Sequence, residues 1–167
     1  MPLIKQGKIV DDPWMRLSDD GALPASGAII VSLERWRAEH GALCGRGDPV
    51  GVQLVSHQPV RELAEDLPRL SLVALEFPTF RDGRAYSSAR LLRERYGYKG
   101  EVRAVGDVLR DQFLFMVRCG FDAIEVATEE EAAAWEKAMS EFSVWYQVAA
   151  DDRTSAARLR RLAKAAE

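Results

Sequence analysis

The sequence predicts a single α/β domain with a mainly parallel β-sheet. Short runs rich in Val, Ile and Leu recur along the chain between turn residues, which is the pattern of buried strands. The intervals between them are long enough for a helix. Crossovers of that length join parallel strands, because the chain must return over a face of the sheet. A chain of 167 residues builds one sizeable core and is too short for two domains of ordinary size.

Five segments have the composition of buried strands, so we expect about five βα units. The segments are Ala28–Ser32, Val50–Val55, Leu72–Phe77, Glu101–Val105 and Phe121–Val126. Their order stays open between an open doubly wound sheet and a sequential arc like part of a (β/α) barrel. The run GFDAIEV after an apolar helix is more typical of barrel packing.

Apolar residues at three- and four-residue steps predict helices between and after the strands. The predicted helices are Leu33–Leu43, Val60–Leu67, one that Ser87 or Ser88 caps and that runs to about Tyr96, one that Asp107 caps, Thr128–Tyr146, and a last helix from Thr154. Before the first strand, Ile4–Val10 predicts an edge strand or hairpin. The resulting boundaries are 1–27 for an N-terminal edge segment, 28–150 for the α/β domain and 151–167 for a basic C-terminal helix or tail.

The formal net charge of −3 conceals an uneven distribution of charge. The segment Arg81–Arg118 holds nine basic and five acidic residues, whereas Cys119–Asp152 holds one basic and nine acidic residues. A net-acidic chain with a local excess of arginine suits a small anion or an acidic protein surface better than nucleic acid. Most of these arginines are interpreted as solvated residues on helix faces, namely Arg90, Arg93, Arg95, Arg103 and Arg118.

Membrane segments and cofactor motifs are missing from the sequence. No apolar run approaches the roughly 18–20 residues needed to cross a bilayer, and nothing near Met1 resembles a secretion signal. We therefore expect a cytoplasmic protein without a membrane partner. There is no GxGxxG after the first strand, no GxxxxGK(S/T) and no CxxC, so no cofactor is predicted.

The cysteines and histidines predict neither a metal site nor a catalytic group. Cys44 and Cys119 are interpreted as reduced thiols, and neither has a neighbouring Cys or His at a spacing expected for metal binding. His40 and His57 form no arrangement with Ser, Cys or Asp that the sequence connects into a triad. No catalytic residue and no metal ligand is predicted.

Two loops are candidates for a binding site because each follows a predicted strand. In α/β sheets, ligands gather beyond the carboxyl ends of the strands. One loop follows Leu72–Phe77 and the other follows Glu101–Val105. Their candidate ligand-binding residues are Arg81, Asp82, Gly83, Arg84, Ser87, Ser88, Asp107, Arg110 and Gln112. Guanidinium groups, a glycine that permits close approach and hydroxyls at a helix N-terminus suit an oxyanion such as phosphate, sulfate, sulfite or a carboxylate.

A purely structural interpretation of these loops stays open. Asp82-Gly83 can form a simple turn, and the serines can act only as helix caps. Arg84 can pair with Asp107 or Asp111 across the adjacent strand ends. Asp107 and Asp111 lie one helical turn apart, but no third ligand has a suitable spacing, so they do not predict a metal site.

The chain from Phe77 to Val126 resembles the signature region of an uncharacterised bacterial family, and the resemblance is carried by the run FPTFRDGRAYSSARLLRERYGYKGEVRAVGDVLRDQFLFMVRCGFDAIEV. Its members are often described as oxidoreductases involved in sulfite reduction. The resemblance covers roughly the last two-thirds of the chain, through FSVWYQ at Phe142–Gln147, and is looser over Met1–Gly45. Family members tend to be encoded beside the haemoprotein subunit of assimilatory sulfite reductase. The resemblance therefore implies a role in sulfate assimilation.

Because no electron-carrying cofactor has a binding motif here, we interpret the resemblance as implying a non-catalytic accessory protein. The expected partner is the haemoprotein subunit of sulfite reductase, docked through the Arg-rich region and the wide apolar face that includes Leu114 and Phe115. An alternative is a small oxyanion-binding enzyme or sensor that uses the loops Arg81–Ser88 and Gly106–Gln112. A third hypothesis is a homodimer with the helix Trp135–Tyr146 as its seam. The family offers no established catalytic residues to transfer.

Overall fold

The sheet is curled, and most of its strands follow one another in chain order. The computed structural model describes residues 2–5, 7–128, 144–151 and 153–165. The strands are β1 (Leu3–Lys5), β2 (Lys8–Val10), β3 (Met15–Arg16), β4 (Ile29–Ser32), β5 (Val50–Leu54), β6 (Leu72–Phe77), β7 (Glu101–Gly106) and β8 (Ala123–Glu125). Their order in the sheet is β2-β1-β8-β7-β6-β5-β4-β3.

Strands β3 to β8 are parallel, and the β1–β2 hairpin adds two antiparallel strands at the β8 edge. A sequential parallel order with right-handed crossovers brings all the connections to one face, and the strand twist curls the sheet around the other. The fold is therefore a half-barrel of eight strands. It corresponds to the sequential arc rather than the doubly wound sheet, and it is larger than about five βα units.

The helices are short. They are α1 (Leu33–Ala38), α2 (His40–Cys44), α3 (Arg84–Arg90), α4 (Phe113–Cys119) and α5 (Ala156–Ala165). A π-helical turn, Leu91–Arg95, extends α3, and 3₁₀ turns cover Val60–Leu63, Leu67–Arg69 and Arg110–Gln112. The hydroxyl of Ser32 caps α1 by accepting a hydrogen bond from the backbone N–H of Arg35 at 3.0 Å.

The predicted strands are confirmed with small shifts at their ends. Leu72–Phe77 has the predicted bounds, and the other four strands differ by at most two residues at either end. Ile4–Val10 forms the expected hairpin, as β1 and β2. The strand β3 was not expected, because two residues next to polar turns carry no periodic pattern.

Three predicted helices differ from the structure. The segment after Val60 forms 3₁₀ turns, because the ring of Pro68 cannot be accommodated inside a continuous α-helix. The third helix begins at Arg84 with Gly83 as its N-cap, so Ser87 and Ser88 lie inside the helix and cap nothing. The fourth helix begins at Phe113 rather than next to Asp107.

Two layers of apolar side chains surround the sheet. The larger layer lies on the convex face under the helices and includes Val52, Leu75, Phe77 and Met116. On the concave face, Trp14 packs against a smaller cluster of Ile30, Leu72, Ala74 and Val105. The segment between β2 and β3 thereby covers the inside of the curl.

The expectation of solvated arginines is wrong for three of the five. Arg103 points into the concave face and has no exposed side-chain surface. Arg93 donates hydrogen bonds to the carbonyl oxygens of Tyr98 and Gly100 at 2.7 and 2.9 Å. Arg118 pairs with Asp151 at 3.4 Å. Arg103 and Arg118 were misread because their acidic partners Asp12, Glu125 and Asp151 are distant in the sequence.

The C-terminal segment is described only in part. Most of the predicted helix Thr128–Tyr146, including its proposed seam Trp135–Tyr146, lies outside the described residues. The last predicted helix is α5, which begins at Ala156 and buries none of its residues. Within the ranges described, the longest apolar helix falls short of what a bilayer crossing requires.

Candidate functional site

The two candidate loops meet at one rim of the sheet. Strands β6 and β7 end side by side, with Phe77 opposite Gly106 in the ladder. We call residues 78–83 and 107–112 the rim loops. The Asp107 carboxylate accepts a hydrogen bond from the backbone N–H of Phe80 at 3.0 Å, and the Gln112 side-chain amide donates to the Phe80 carbonyl oxygen at 2.8 Å. The role of Asp107 is thus to join the loops rather than to cap a helix.

Gly106 makes the close approach of the two strand ends possible. Its φ of 94° lies in the left-handed region that side-chain-bearing residues avoid. A Cβ atom at this position would overlap the carbonyl oxygen of Phe77. The backbone N–H of Asp107 then donates to that same oxygen at 2.8 Å, which closes the end of the ladder.

Arg84, the first residue of α3, forms an ion pair with Asp82 of the rim loop that precedes it. Its guanidinium contacts both carboxylate oxygens of Asp82, at 2.9 and 2.5 Å, and the hydroxyl of Ser56 at 2.8 Å. These hydrogen bonds from Arg84 hold the pKa of the Asp82 carboxyl well below its usual range. The expected pairing with Asp107 or Asp111 is wrong, because Asp82 is nearer and presents both of its oxygens.

The other predicted residues are spread along the rim and the helix behind it. Arg81 is exposed and its guanidinium lies over the Phe80 ring, 5.3 Å from the ring centroid. Arg110 begins the 3₁₀ turn that leads into α4. Ser87 faces the flank of α3 beside Arg90, away from the turn that contains Asp82. The Ser87 hydroxyl is therefore not grouped with the guanidinium of Arg84, and Ser88 lies within α3.

Exposed apolar side chains accompany Arg81 at this rim. Phe80 and Leu109 are each 38% exposed, and Phe115 is 57% exposed. The Gln112 amide links the first two, because it also accepts the backbone N–H of Leu109 at 3.3 Å. We call Phe80, Arg81, Leu109 and Phe115 the rim patch. Three large apolar groups and a cation thus face solvent on neighbouring turns.

An aromatic cluster supports the rim patch from below. The Phe115 ring packs on Tyr86 with 4.8 Å between centroids, and Tyr86 meets Phe77 edge-on at 5.1 Å. Phe121 completes the cluster, 5.9 Å from Phe77. Burial among these rings raises the pKa of Tyr86 to about 12. The aromatic cluster therefore gives Phe115 a packed base, whereas Phe80, Arg81 and Leu109 lie on the rim loops.

The rim loops contain no serine, cysteine, histidine or lysine, but they carry a hydroxyl and three carboxylates. These groups belong to Thr79, Asp82, Asp107 and Asp111. Asp82 occupies Nε and Nη2 of Arg84 and balances its charge, which weakens the attraction of that guanidinium for an oxyanion. Gly83 has a φ of −83°, and a Cβ there would make only an ordinary contact with Tyr86, so its position does not require glycine.

A polar cluster on the concave face was missed by the sequence analysis. Arg103 pairs with Asp12, Glu101 and Glu125 at 2.7, 2.9 and 3.3 Å, and Arg16 adds a second contact to Glu125 at 2.9 Å. The signal was present, since charged residues at alternate positions of apolar strands point to one face of the sheet. They went unrecognised because parallel strands in α/β proteins are normally apolar on both faces.

A second missed group lies on the outer face of the fold. His40, Cys44 and Asp66 are the described residues that together could hold a metal ion, with ligand atoms within 4.8 Å of one another. His40 lies one helical turn before Cys44 on α2, so the expectation that Cys44 has no histidine at a ligand spacing is wrong. Burial opposes the charged form of Asp66, but hydrogen bonds from His40 and Trp36 outweigh it and lower the pKa of Asp66.

A protein-family model matches most of the chain. No curated protein matches it. The matching family model begins on β5 and ends in α5, so it includes β6, β7 and both rim loops. The β1–β2 hairpin, α1 and α2 precede the matched segment. The chain therefore belongs to the family described as bacterial proteins of unknown function (DUF934), whose model matches residues 51–157.

Proposed function

We propose that the protein is a non-catalytic accessory protein of assimilatory sulfite reduction that docks on sulfite reductase through the rim patch. The pathway is suggested by the resemblance of Phe77–Val126 to a family encoded beside the haemoprotein subunit of that enzyme. The mode of action is suggested by the rim itself, which offers an exposed apolar surface with a cation beside it. The resembling segment contains every residue of the rim patch.

One observation carries the proposal: Arg84 is engaged by Asp82, whereas the rim patch is exposed. Aromatic residues and arginine are enriched in protein interfaces, and they supply most of the binding energy there. Phe80 and Arg81 present both types on adjacent residues, stacked on each other. A small anion would have no use for the three apolar side chains, but a protein surface would bury them.

The chemistry of the rim defines the surface that the partner must offer. Phe80, Leu109 and Phe115 require an apolar recess, and Arg81 requires a carboxylate at its edge. A charge at the edge of an interface steers association and makes the association rate depend on salt. We therefore expect an acidic, partly apolar area on the haemoprotein subunit.

Calorimetry with the purified haemoprotein subunit tests the proposal. The wild-type chain should bind. Phe80→Ser should weaken binding by about tenfold or more because it leaves the apolar recess unfilled, and Arg81→Glu by about tenfold or more because it sets a like charge against an acidic partner surface. Arg95→Glu is the matched control. Arg95 is also exposed, and its guanidinium lies 5.8 Å from the ring of its neighbour Tyr96. It is at the far end of α3 and its π turn, about 18 Å from the N-cap of α3 at 1.5 Å per residue.

The oxyanion alternative makes a different prediction for Asp82. Asp82→Asn removes the charge that engages Arg84, so an anion site at the rim should bind sulfite or phosphate more tightly in this variant than in the wild type. Docking predicts no measurable sulfite or phosphate binding by either protein. Anion binding that is strengthened by Asp82→Asn and lost in Arg84→Met would replace the docking proposal.

A further inference from the structure

The side chains of His40, Cys44 and Asp66 converge on one point at the surface. Nε2 of His40 lies 2.9 Å from Oδ1 of Asp66 and 3.5 Å from Sγ of Cys44. His40 and Cys44 occupy successive turns of α2, and Asp66 comes from the 3₁₀ segment that follows β5. Two separate segments of the chain thus bring a nitrogen, a sulfur and an oxygen donor together.

This geometry differs from that of a catalytic triad. In a triad, the imidazole contacts the carboxylate through one ring nitrogen and the nucleophile through the other. Here Nε2 makes both contacts, and Nδ1 is farther from the sulfur, at 3.9 Å. The ring therefore cannot relay a proton between Asp66 and Cys44. Three donor atoms of different side chains within 4.8 Å of one another are instead a set that one metal ion can gather.

The distances agree with tetrahedral coordination after small movements. Zinc bonds of about 2.0–2.3 Å separate a tetrahedral nitrogen–sulfur pair by about 3.6 Å and a nitrogen–oxygen pair by about 3.4 Å. The observed separations are 3.5 Å and 2.9 Å. The nitrogen–sulfur separation fits, but the 3.9 Å from Sγ to Nδ1 places the sulfur beside the ring rather than in line with Nε2. The exposed His40 ring must therefore turn toward the ion, and the carboxylate of Asp66 must move by about half an ångström.

A neighbouring buried residue orients the carboxylate. The indole Nε1–H of Trp36 donates to Oδ2 of Asp66 at 2.9 Å, which leaves Oδ1 facing the imidazole. The Trp36 side chain is almost fully buried, and its ring meets the His40 ring edge-on at 5.1 Å. Outer hydrogen bonds of this kind fix the ligands of metal sites. The group is therefore supported in the way a binding site requires.

We propose that His40, Cys44 and Asp66 bind a divalent zinc-like metal ion with one coordination position open to solvent. Thiolate, imidazole and carboxylate are the zinc ligands of proteins, and three protein ligands leave a fourth position for water or another molecule. The His40 side chain is 44% exposed, so the ion can enter from solvent. Arg69 donates to the Cys44 sulfur at 3.5 Å on the exposed side and can remain an outer partner of the thiolate.

Cobalt(II) is the probe of choice because it reports its ligands by absorption. The reduced full-length chain, freed of metal with a chelator that is then removed, is titrated with cobalt and afterwards with zinc. We expect one cobalt per chain with a thiolate-to-metal charge-transfer band and tetrahedral visible bands, both abolished by one equivalent of zinc. Cys44→Ser, His40→Gln and Asp66→Asn should each weaken binding more than about tenfold, and Trp36→Phe by about tenfold.

The chain supplies its own matched controls, since it contains two cysteines and two histidines. Cys119→Ala and His57→Gln should bind cobalt as the wild type does. A measurement without substitutions guards against misfolded variants: zinc should slow alkylation of Cys44 by iodoacetamide, read by mass spectrometry. Cobalt bound without the charge-transfer band, equal binding by Cys44→Ser, or unprotected Cys44 would each overturn the proposal.

Discussion

Arg103 on β7 and Glu125 on β8 form an ion pair of 3.3 Å inside the curl of the sheet. The Arg103 side chain has no exposed surface, and that of Glu125 is 7% exposed. Asp12 reaches the same guanidinium from the segment that covers the concave face, at 2.7 Å. The cluster therefore joins the N-terminal segment to the central strands β7 and β8. The contribution of each charged group to stability depends on the presence of the others.

We predict that Arg103→Met destabilises the fold by about 3–5 kcal/mol, because it removes the fully buried cation that Asp12, Glu101 and Glu125 share and leaves Glu125, among the described residues, with Arg16 alone. Urea unfolding followed by circular dichroism measures this change. Arg103→Met combined with Glu125→Gln should cost less than the two single changes added together, since the residues are coupled. Arg95→Met on the exposed face of the π turn should stay within about 0.5 kcal/mol of the wild type. Equal effects of Arg103→Met and Arg95→Met would show that the buried cluster contributes nothing.

Gly106→Ala should destabilise the fold by at least about 2 kcal/mol, through its left-handed φ and its overlap with Phe77. The same denaturant experiment measures it. Gly41→Ala is the control, because Gly41 lies in α2 and a Cβ there would meet open space. This variant should be as stable as the wild type or more stable by up to about 1 kcal/mol, since alanine favours helix over glycine. A Gly106→Ala protein as stable as the wild type would contradict the account of how the rim loops are brought together.

Tyr86 should make stability fall at alkaline pH. Below pH 10, the ordinary tyrosine pKa, both folded and unfolded chains keep this proton, so Tyr86 adds no pH dependence. Between pH 10 and about 12 the unfolded chain releases the proton while the folded chain retains it, so the free energy of unfolding decreases as pH rises. Unfolding curves across this range should decline less steeply for Tyr86→Phe than for the wild type. An unchanged slope would contradict the raised pKa of Tyr86.

Much of the fold could be predicted because its parallel strands are continuous apolar runs. Leu72–Phe77 is visible as a run of Val, Leu and Phe and has the predicted bounds. The order of the strands could not be predicted, since it depends on how crossovers pack rather than on any single segment. The starts of the helices were predicted less accurately. Ser87 is a favourable cap residue, but the Asp82 carboxylate accepts a hydrogen bond from the backbone N–H of Arg84, where the helix begins.

The proximity of the two candidate loops could be predicted, but the pairing of Arg84 could not. The sequence identifies both rim loops because each follows a strand, and the ladder between Phe77 and Gly106 explains why they meet. The sequence indicates a turn at Asp82-Gly83, but not that the Asp82 carboxylate folds back onto Arg84. The group around His40 was missed for a different reason: Asp66 is 22 residues from Cys44 in the chain, and only the tertiary fold brings its carboxylate to them.

The central claim, docking through the rim patch, is tested most directly by biolayer interferometry with the haemoprotein subunit immobilised. The wild-type chain should bind, with an association rate that falls as salt increases. Phe80→Ser combined with Arg81→Glu should abolish the signal, and Arg95→Glu should retain it. No binding of the wild-type chain even at low salt, or equal binding of the double variant and the wild type, would contradict the claim.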